Sequence, residues 1–422
     1  MPFLDPSRAD HPTDAAELER DNPRDVGGQR RHPHRNPAHG WRPGRTGIAA
    51  KGGSRTKGAA RPSISEPRDR RGTLIGPGRS PTGRALQRIT EADFNRHPSM
   101  IAWLVALALL YAFFNGLNDS PAIVAPVIST HALGSRQALL LTAAAQAAGP
   151  LVLGTAVATT IATRIVRPES MSAQAVLAAL VAALLWSVLT WTTGLPTSSS
   201  HALVGGLMGA ALASAGPRAL LLPGFVRVVG ALVISPPLGL LIGYLGVWLT
   251  LRLARQAKPA LNNRLRRWQR VAMLALGASH GASDAPKAMG VLTLGLVTVG
   301  AQQGFGVPVW VLASCLGFFC LGTSIGGWRQ MRRLGGQIYR LRPVHGFGAL
   351  VAGALVVLSA AMLGGPISTS QVMASAILGA GAAERLNKVR WLILRDMLTA
   401  WVLTIPATLL LSAGVLEVLS RL

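Results

Sequence analysis

The sequence predicts an all-α polytopic membrane protein made of two inverted-topology repeats, each holding a re-entrant helical hairpin. Three observations carry that expectation. Half of the 422 residues are hydrophobic and only 14% are charged, an apolar excess that suits several transmembrane helices. A polar motif occurs twice inside apolar runs, as Phe114-Asn115-Gly116-Leu117-Asn118-Asp119-Ser120-Pro121 and as His280-Gly281-Ala282-Ser283-Asp284-Ala285-Pro286-Lys287, offset by 165 positions. A second motif also repeats, as Gly194-Leu195-Pro196-Thr197-Ser198-Ser199-Ser200 and Gly364-Gly365-Pro366-Ile367-Ser368-Thr369-Ser370, offset by 170.

The chain falls into a tail over 1–98, a first repeat over 99–251, a linker over 252–270 and a second repeat over 271–422. The tail is rich in Arg, Pro, Gly, His and Ser without sustained periodicity, and reads as disordered. It carries 19 basic and 11 acidic residues. No apolar stretch near Met1 marks a signal peptide. The abrupt change of composition at Ser99-Met100 makes a start at Met100 a competing reading of the tail. The net charge of +25 invites a nucleic-acid reading. The tail lacks aromatic interleaving and a fold, so no nucleic-acid partner is expected.

Membrane segments are expected at about 100–130, 137–162, 223–250, 271–300, 308–328 and 391–417 from runs of sufficient apolar length. The stretches 174–214 and 347–381 differ, because each is broken in the middle by a Gly-x-Pro-hydroxyl cluster. Irregular backbone at membrane depth is tolerated only where protein or a watery cavity satisfies it. A helical hairpin that enters, turns at the cluster and returns meets that demand. Cys315 and Cys320 share one apolar segment and read as small core residues rather than a disulfide or a metal site.

Charge orders the topology. Residues 252–270 hold Arg252, Arg255, Lys258, Arg264, Arg266, Arg267 and Arg270, which places this linker in the cytoplasm. With both hairpins re-entrant, each half makes three crossings and the second half is inverted relative to the first. Both termini then lie outside.

Asp119 and Asp284 are carboxylates in apolar spans, which makes them functional candidates by default. The hydroxyl runs follow Pro196 and Pro366, where a helix begins. Ser and Thr cap such starts, and the free N–H groups with the positive dipole end form an anion site. Two tips entering from opposite faces would surround one tetrahedral oxyanion. The aspartates would repel that anion, so bound cations are expected beside them, Na⁺ or H⁺. Lys287, three residues past Asp284, lies on the same helical face and pairs with it. Replacing either aspartate by Asn is expected to leave the fold intact, since unpaired charge in an apolar span is unfavourable.

These motifs together resemble the inorganic phosphate transporter (PiT) family over about residues 100–417. The resemblance implies a secondary carrier in the cytoplasmic membrane that couples inorganic phosphate to a Na⁺ or H⁺ gradient. It places phosphate at Thr197, Ser198, Ser199, Ser200, Ser368, Thr369 and Ser370, and the coupling cation at Asn118, Asp119 and Asp284, with Ser283 where the family has Asn. Gln146, His201, Lys287 and Gln371 are candidates for coupling or gating; Gln371 stands where the family has His. Partners are then phosphate, the coupling cation and lipid; no cofactor is expected, and a homodimer stays open.

Three rival readings remain at this stage. A permease for sulfate or another tetrahedral oxyanion would use the same tips. A membrane hydrolase would use Ser200, His201 and Asp119, but the chain has no Gly-x-Ser-x-Gly elbow, and the second hydroxyl cluster lacks the His. A basic nucleic-acid binder would rest on the tail alone.

Overall fold

The computed structural model describes residues 98–421, apart from 195, 196, 257, 259, 333, 336–338 and 340. The tail expected over 1–98 therefore lies outside the described residues but for Pro98. The described chain is almost entirely helical. The first half contains α1 (Pro98–Ser129), α2 (Ser135–Leu153), α3 (Ala156–Thr163), α4 (Ala173–Thr193), α5 (Ser199–Ala215) and α6 (Leu222–Leu253). The second contains α7 (Ala260–Thr298), α8 (Val309–Ile325), α9 (Trp328–Arg332), α10 (Pro343–Met362), α11 (Thr369–Glu384) and α12 (Trp391–Arg421). No strand is found among the described residues, only an isolated bridge between Val166 and Leu220.

Helices α1, α4, α6, α10 and residues 397–421 of α12 are long and apolar enough to cross a membrane. The segment expected at 137–162 is two helices, α2 and α3, bent by 77°. Helix α7 begins at Ala260, so the linker expected over 252–270 shortens to a few residues after Leu253. Its 39 residues span roughly 58 Å at 1.5 Å each, well beyond ~30 Å of hydrocarbon. Its first turns carry Arg264, Arg266, Arg267 and Arg270. Large apolar side chains remain on the outside, among them Val402, Leu403 and Leu410 on α12, as expected of a surface solvated by lipid.

The two halves are packed by exchange rather than side by side. Helix α1 packs on α8 and α2 on α7, while the hairpin helices α5 and α11 lie against α12 and α6 of the opposite half. Small residues set these crossings. A Cβ at Gly209 would stand 2.1 Å from the Leu409 carbonyl oxygen, and one at Gly379 would stand 2.0 Å from that of Leu240. Likewise, Gly116 lies against the Phe319 carbonyl and Gly281 against that of Gln146. Each close approach in one half has its counterpart in the other. Such backbone contact is how helices associate in lipid, where apolar burial alone drives nothing.

Both hairpins stop their first helix in the same way. Gly194 ends α4 with φ 67°, and Gly364 follows α10 with φ 66°. Glycine enters this left-handed region without a Cβ clash. The chain then turns through the hydroxyl cluster and starts α5 or α11. The sequence motifs around Asp119 and Asp284 behave differently from the tips. Helices α1 and α7 run unbroken through them, with Pro121 and Pro286 inside, so neither aspartate sits on unwound backbone.

Candidate functional site

The site lies where the two tips meet α1 and α7. Ser198 and Ser368 are the N-caps of α5 and α11: their Oγ atoms accept from the backbone N–H of His201 at 3.1 Å and of Gln371 at 3.4 Å. The hydroxyl just inside each helix reaches the aspartate of its own half. Ser199 Oγ donates to Asp119 Oδ2 at 2.8 Å, and Thr369 Oγ1 donates to Asp284 Oδ2 at 3.2 Å. The next hydroxyl crosses to the other half. Ser200 Oγ donates to the Ile367 carbonyl at 2.7 Å, and Ser370 Oγ donates to the Thr197 carbonyl at 2.9 Å. The tips are thus joined by a reciprocal pair of bonds. His201 and Gln371, also equivalent by position, meet there with Nδ1 and Nε2 3.3 Å apart. All of Thr197 to His201 and Ser368 to Gln371 are buried.

Between the tips and the long helices stands a cluster of acids and one ammonium. Asp119, His280 and Asp284 each present a ligand atom within 4.8 Å of the others, and all are buried. Lys287 bonds Asp284 Oδ1, Ser200 Oγ and the Ile367 carbonyl, the last at 3.0 Å. The pairing expected from the i+3 spacing is present. It also means that Asp284→Asn would strand a buried ammonium, which corrects the expectation that either aspartate can be replaced by Asn without cost to the fold. His280 is set by Gln146, whose Nε2 donates to His280 Nδ1 at 2.8 Å, while Gln146 Oε1 accepts from Thr323 at 2.7 Å. The ring's remaining nitrogen, Nε2, then carries hydrogen and faces Asp284 Oδ2 at 2.5 Å, off the line that a hydrogen bond requires.

Two expected residues sit differently from the rest. The Asn118 carboxamide turns away from the tips: Nδ2 donates to the Ser187 carbonyl at 3.0 Å and Oδ1 accepts from Gln330 at 3.4 Å. Ser283 Oγ reaches only Asp284 Oδ1, at 3.5 Å. In contrast, Asn115 enters the cluster. Its Nδ2 donates to the Asp284 carbonyl at 3.2 Å, and its Oδ1 is buried without a hydrogen-bond partner. Neither Asn115 nor His280 was expected at the site from the sequence; their equivalent places before the motif glycines are the signal that could have found them. Tyr111, one turn earlier on α1, donates to the Ser199 carbonyl at 3.2 Å; nothing in the motif spacing marks it.

A cavity of about 510 Å³ opens beside the first hairpin between Phe114, Leu117, Trp191, Trp328 and Arg329. None of the aspartates or tip hydroxyls lines it, so the polar chemistry lies elsewhere, at the tips.

Comparison with known proteins gives the family of the chain. Residues 115–269 and 253–412 match the phosphate transporter family. A probable low-affinity inorganic phosphate transporter of Rhizobium meliloti (strain 1021) is 38% identical over 316 residues, covering 74% of this chain and 95% of the relative. One of Bacillus subtilis (strain 168) is also 38% identical, over 74% of this chain and 94% of its own length. Among solved structures, a sodium-dependent phosphate transporter superposes with a TM-score of 0.70 at 24% identity, covering 77% of this chain and all of the other; at that identity the likeness speaks for the fold. With both halves matched and near-complete relatives above a third identical, the chain belongs to the phosphate transporter family.

Proposed function

We propose that the chain is a secondary carrier of inorganic phosphate in the cell membrane, driven by a gradient of Na⁺ or H⁺. The observation that carries this reading is the reciprocal joining of the tips by Ser200–Ile367 and Ser370–Thr197, beside Asp119 and Asp284. Two helix N-termini, each capped by serine, direct N–H groups and hydroxyls at one place. An oxyanion held there would take hydrogen bonds from both halves of the chain. Parting the two tips on one side or the other is then a route for alternating access.

The carboxylates fit a cation-coupled site. Asp119, Asp284 and the lone Asn115 Oδ1 supply oxygen ligands of the kind Na⁺ takes, and a carboxylate also holds a proton. A protonated phosphate carries a hydroxyl that needs an acceptor, and Asp119 or Asp284 meets that need; sulfate has no such hydrogen to give. This favours phosphate over sulfate. The names of the relatives, all transporters, support a carrier rather than a hydrolase. Re-entrance of the hairpins is part of this proposal: it would let the two tips meet near the midplane.

Uptake of radiolabelled phosphate and of sulfate into proteoliposomes, under imposed Na⁺ or H⁺ gradients, tests it. Accumulation of phosphate driven by one gradient is the expected result. Accumulation of sulfate instead, or equilibration of phosphate without regard to either gradient, would overturn it.

A further inference from the structure

Lys287 is among the largest fully buried side chains of the protein, and its ammonium is held by a carboxylate, a hydroxyl and a main-chain carbonyl. These are Asp284 Oδ1, Ser200 Oγ and the Ile367 oxygen at the unwound tip. Oxygens of these three types, with a carbonyl freed from helix, are what a hard monovalent cation takes in a membrane carrier. The two-fold correspondence of the halves supplies the comparison. In the first half the equivalent oxygens belong to Asp119, Ser370 and the Thr197 carbonyl, and Ser370 already lies 2.9 Å from that carbonyl. The equivalent of Lys287 is Ala122, whose side chain ends at a methyl.

Resting on the reading of the aspartates as cation sites, we propose that Lys287 is a tethered cation that permanently fills the second half's cation position. Only the Asp119 half then binds a free cation, so the chain takes one coupling cation fewer than its two-fold architecture offers. Geometry and charge agree. From i+3 on the same face of α7, the flexible lysine stem reaches past Asp284 to the tip. With His280 neutral, its Nδ1 accepting from Gln146, two carboxylates against one ammonium leave one negative charge for one free cation.

The test uses the full chain and the variants Lys287→Ala and Lys287→Gln; the glutamine keeps hydrogen bonds without charge. Na⁺ is titrated against thermal unfolding in detergent, and phosphate uptake is followed in proteoliposomes with Na⁺ or choline outside. In the variants, Na⁺ is expected to raise the unfolding temperature more than it does for the native chain, as a ligand of the folded state does. Uptake without Na⁺ should fall about tenfold or more and recover as Na⁺ fills the vacated position, following mass action. The charge moved per phosphate, read from reversal potentials, should rise by one. Variants that fold but gain no stabilisation from Na⁺, or that transport with the native cation dependence, would overturn the proposal. So would failure of both variants to fold even in Na⁺, since the ion is supposed to replace the ammonium. Na⁺ stabilisation of the variants in a chain that carries no phosphate would uphold the tethered cation and sink only the phosphate reading.

Discussion

Ser200 donates its hydroxyl hydrogen to the Ile367 carbonyl at 2.7 Å, joining the first half of the chain to the second. Its counterpart, Ser370, does the same toward Thr197 at 2.9 Å. The pair is geometrically reciprocal but not energetically so, because Ser200 also accepts from Lys287. A hydrogen bond between neutral groups contributes about 0.5–1.5 kcal/mol, and one to a charged group about 1.5–3. Ser200→Ala is therefore expected to lower the unfolding temperature in detergent more than Ser370→Ala. Equal losses would show that the ammonium is not held by Ser200.

Ser198 and Ser368 act first on their own helices. Ser198→Ala and Ser368→Ala each remove an N-cap and should cost about 0.5–2 kcal/mol of stability. Ser198→Asp separates the cap from the anion site, because aspartate caps as well as serine does. Its charge would repel an oxyanion at the tips. Loss of phosphate uptake is the expected result, at some cost in stability because Ser198 is fully buried and a carboxylate there has no cation to pair with; uptake at the native rate would place the anion away from α5.

Much of this arrangement was legible in the sequence because it is written twice. The repeated Asp-x-Pro and Gly-x-Pro-hydroxyl motifs located the long helices, the hairpins, the caps and the Asp284–Lys287 pair. What spacing alone did not give was orientation. Asn118 precedes Asp119 directly, yet adjacent residues on a helix point about 100° apart, and its carboxamide faces Ser187 while Asn115, four residues before the acid, shares its face. The 77° bend between α2 and α3 was hidden too, since apolar composition continues through Gly154. The exchange of helices between halves depends on contacts far apart in sequence, and no local pattern encodes it.

Those exchanged contacts make their own prediction. Gly209→Ala and Gly379→Ala would drive a methyl to about 2 Å from the Leu409 and Leu240 carbonyls. Backbone cannot yield as a side-chain tip does, so each should cost about 1–3 kcal/mol, the usual range for overpacking. Gly246, inside α6 with nothing within 4 Å of an added Cβ, is the control. Gly246→Ala should be neutral or stabilise by about 0.5–1 kcal/mol through helix propensity. Thermal unfolding of the three variants in detergent decides between them.

Topology is tested from outside the membrane. The arginines at the start of α7 predict that Asn262 faces the cytoplasm, and three crossings in the second half put Arg421 on the opposite side. Single cysteines at the two positions, labelled in intact cells with an impermeant reagent, should react only at position 421. Labelling of both or neither would mean an even number of crossings between them, and the hairpin of α10 and α11 would not be re-entrant.

The two aspartates are equivalent in sequence but not in surroundings, and this separates their variants. Asp119→Asn removes one of two neighbouring carboxylates and weakens a bond from Ser199. Relief of like-charge repulsion offsets the lost charge-assisted bond, so stability should change by no more than about 1 kcal/mol. Asp284→Asn instead strands the buried Lys287 ammonium. Removing one partner of a buried ion pair costs about 3–5 kcal/mol. Both variants should lose gradient-driven accumulation of phosphate, since each removes a carboxylate from the cation-coupled cluster. Only Asp284→Asn should unfold early, and pairing it with Lys287→Gln should recover much of that stability without restoring accumulation. An Asp284→Asn protein as stable as the native chain would mean that Lys287 is neutral when buried. Accumulation by both single variants would mean that the aspartates hold the fold and not the cation.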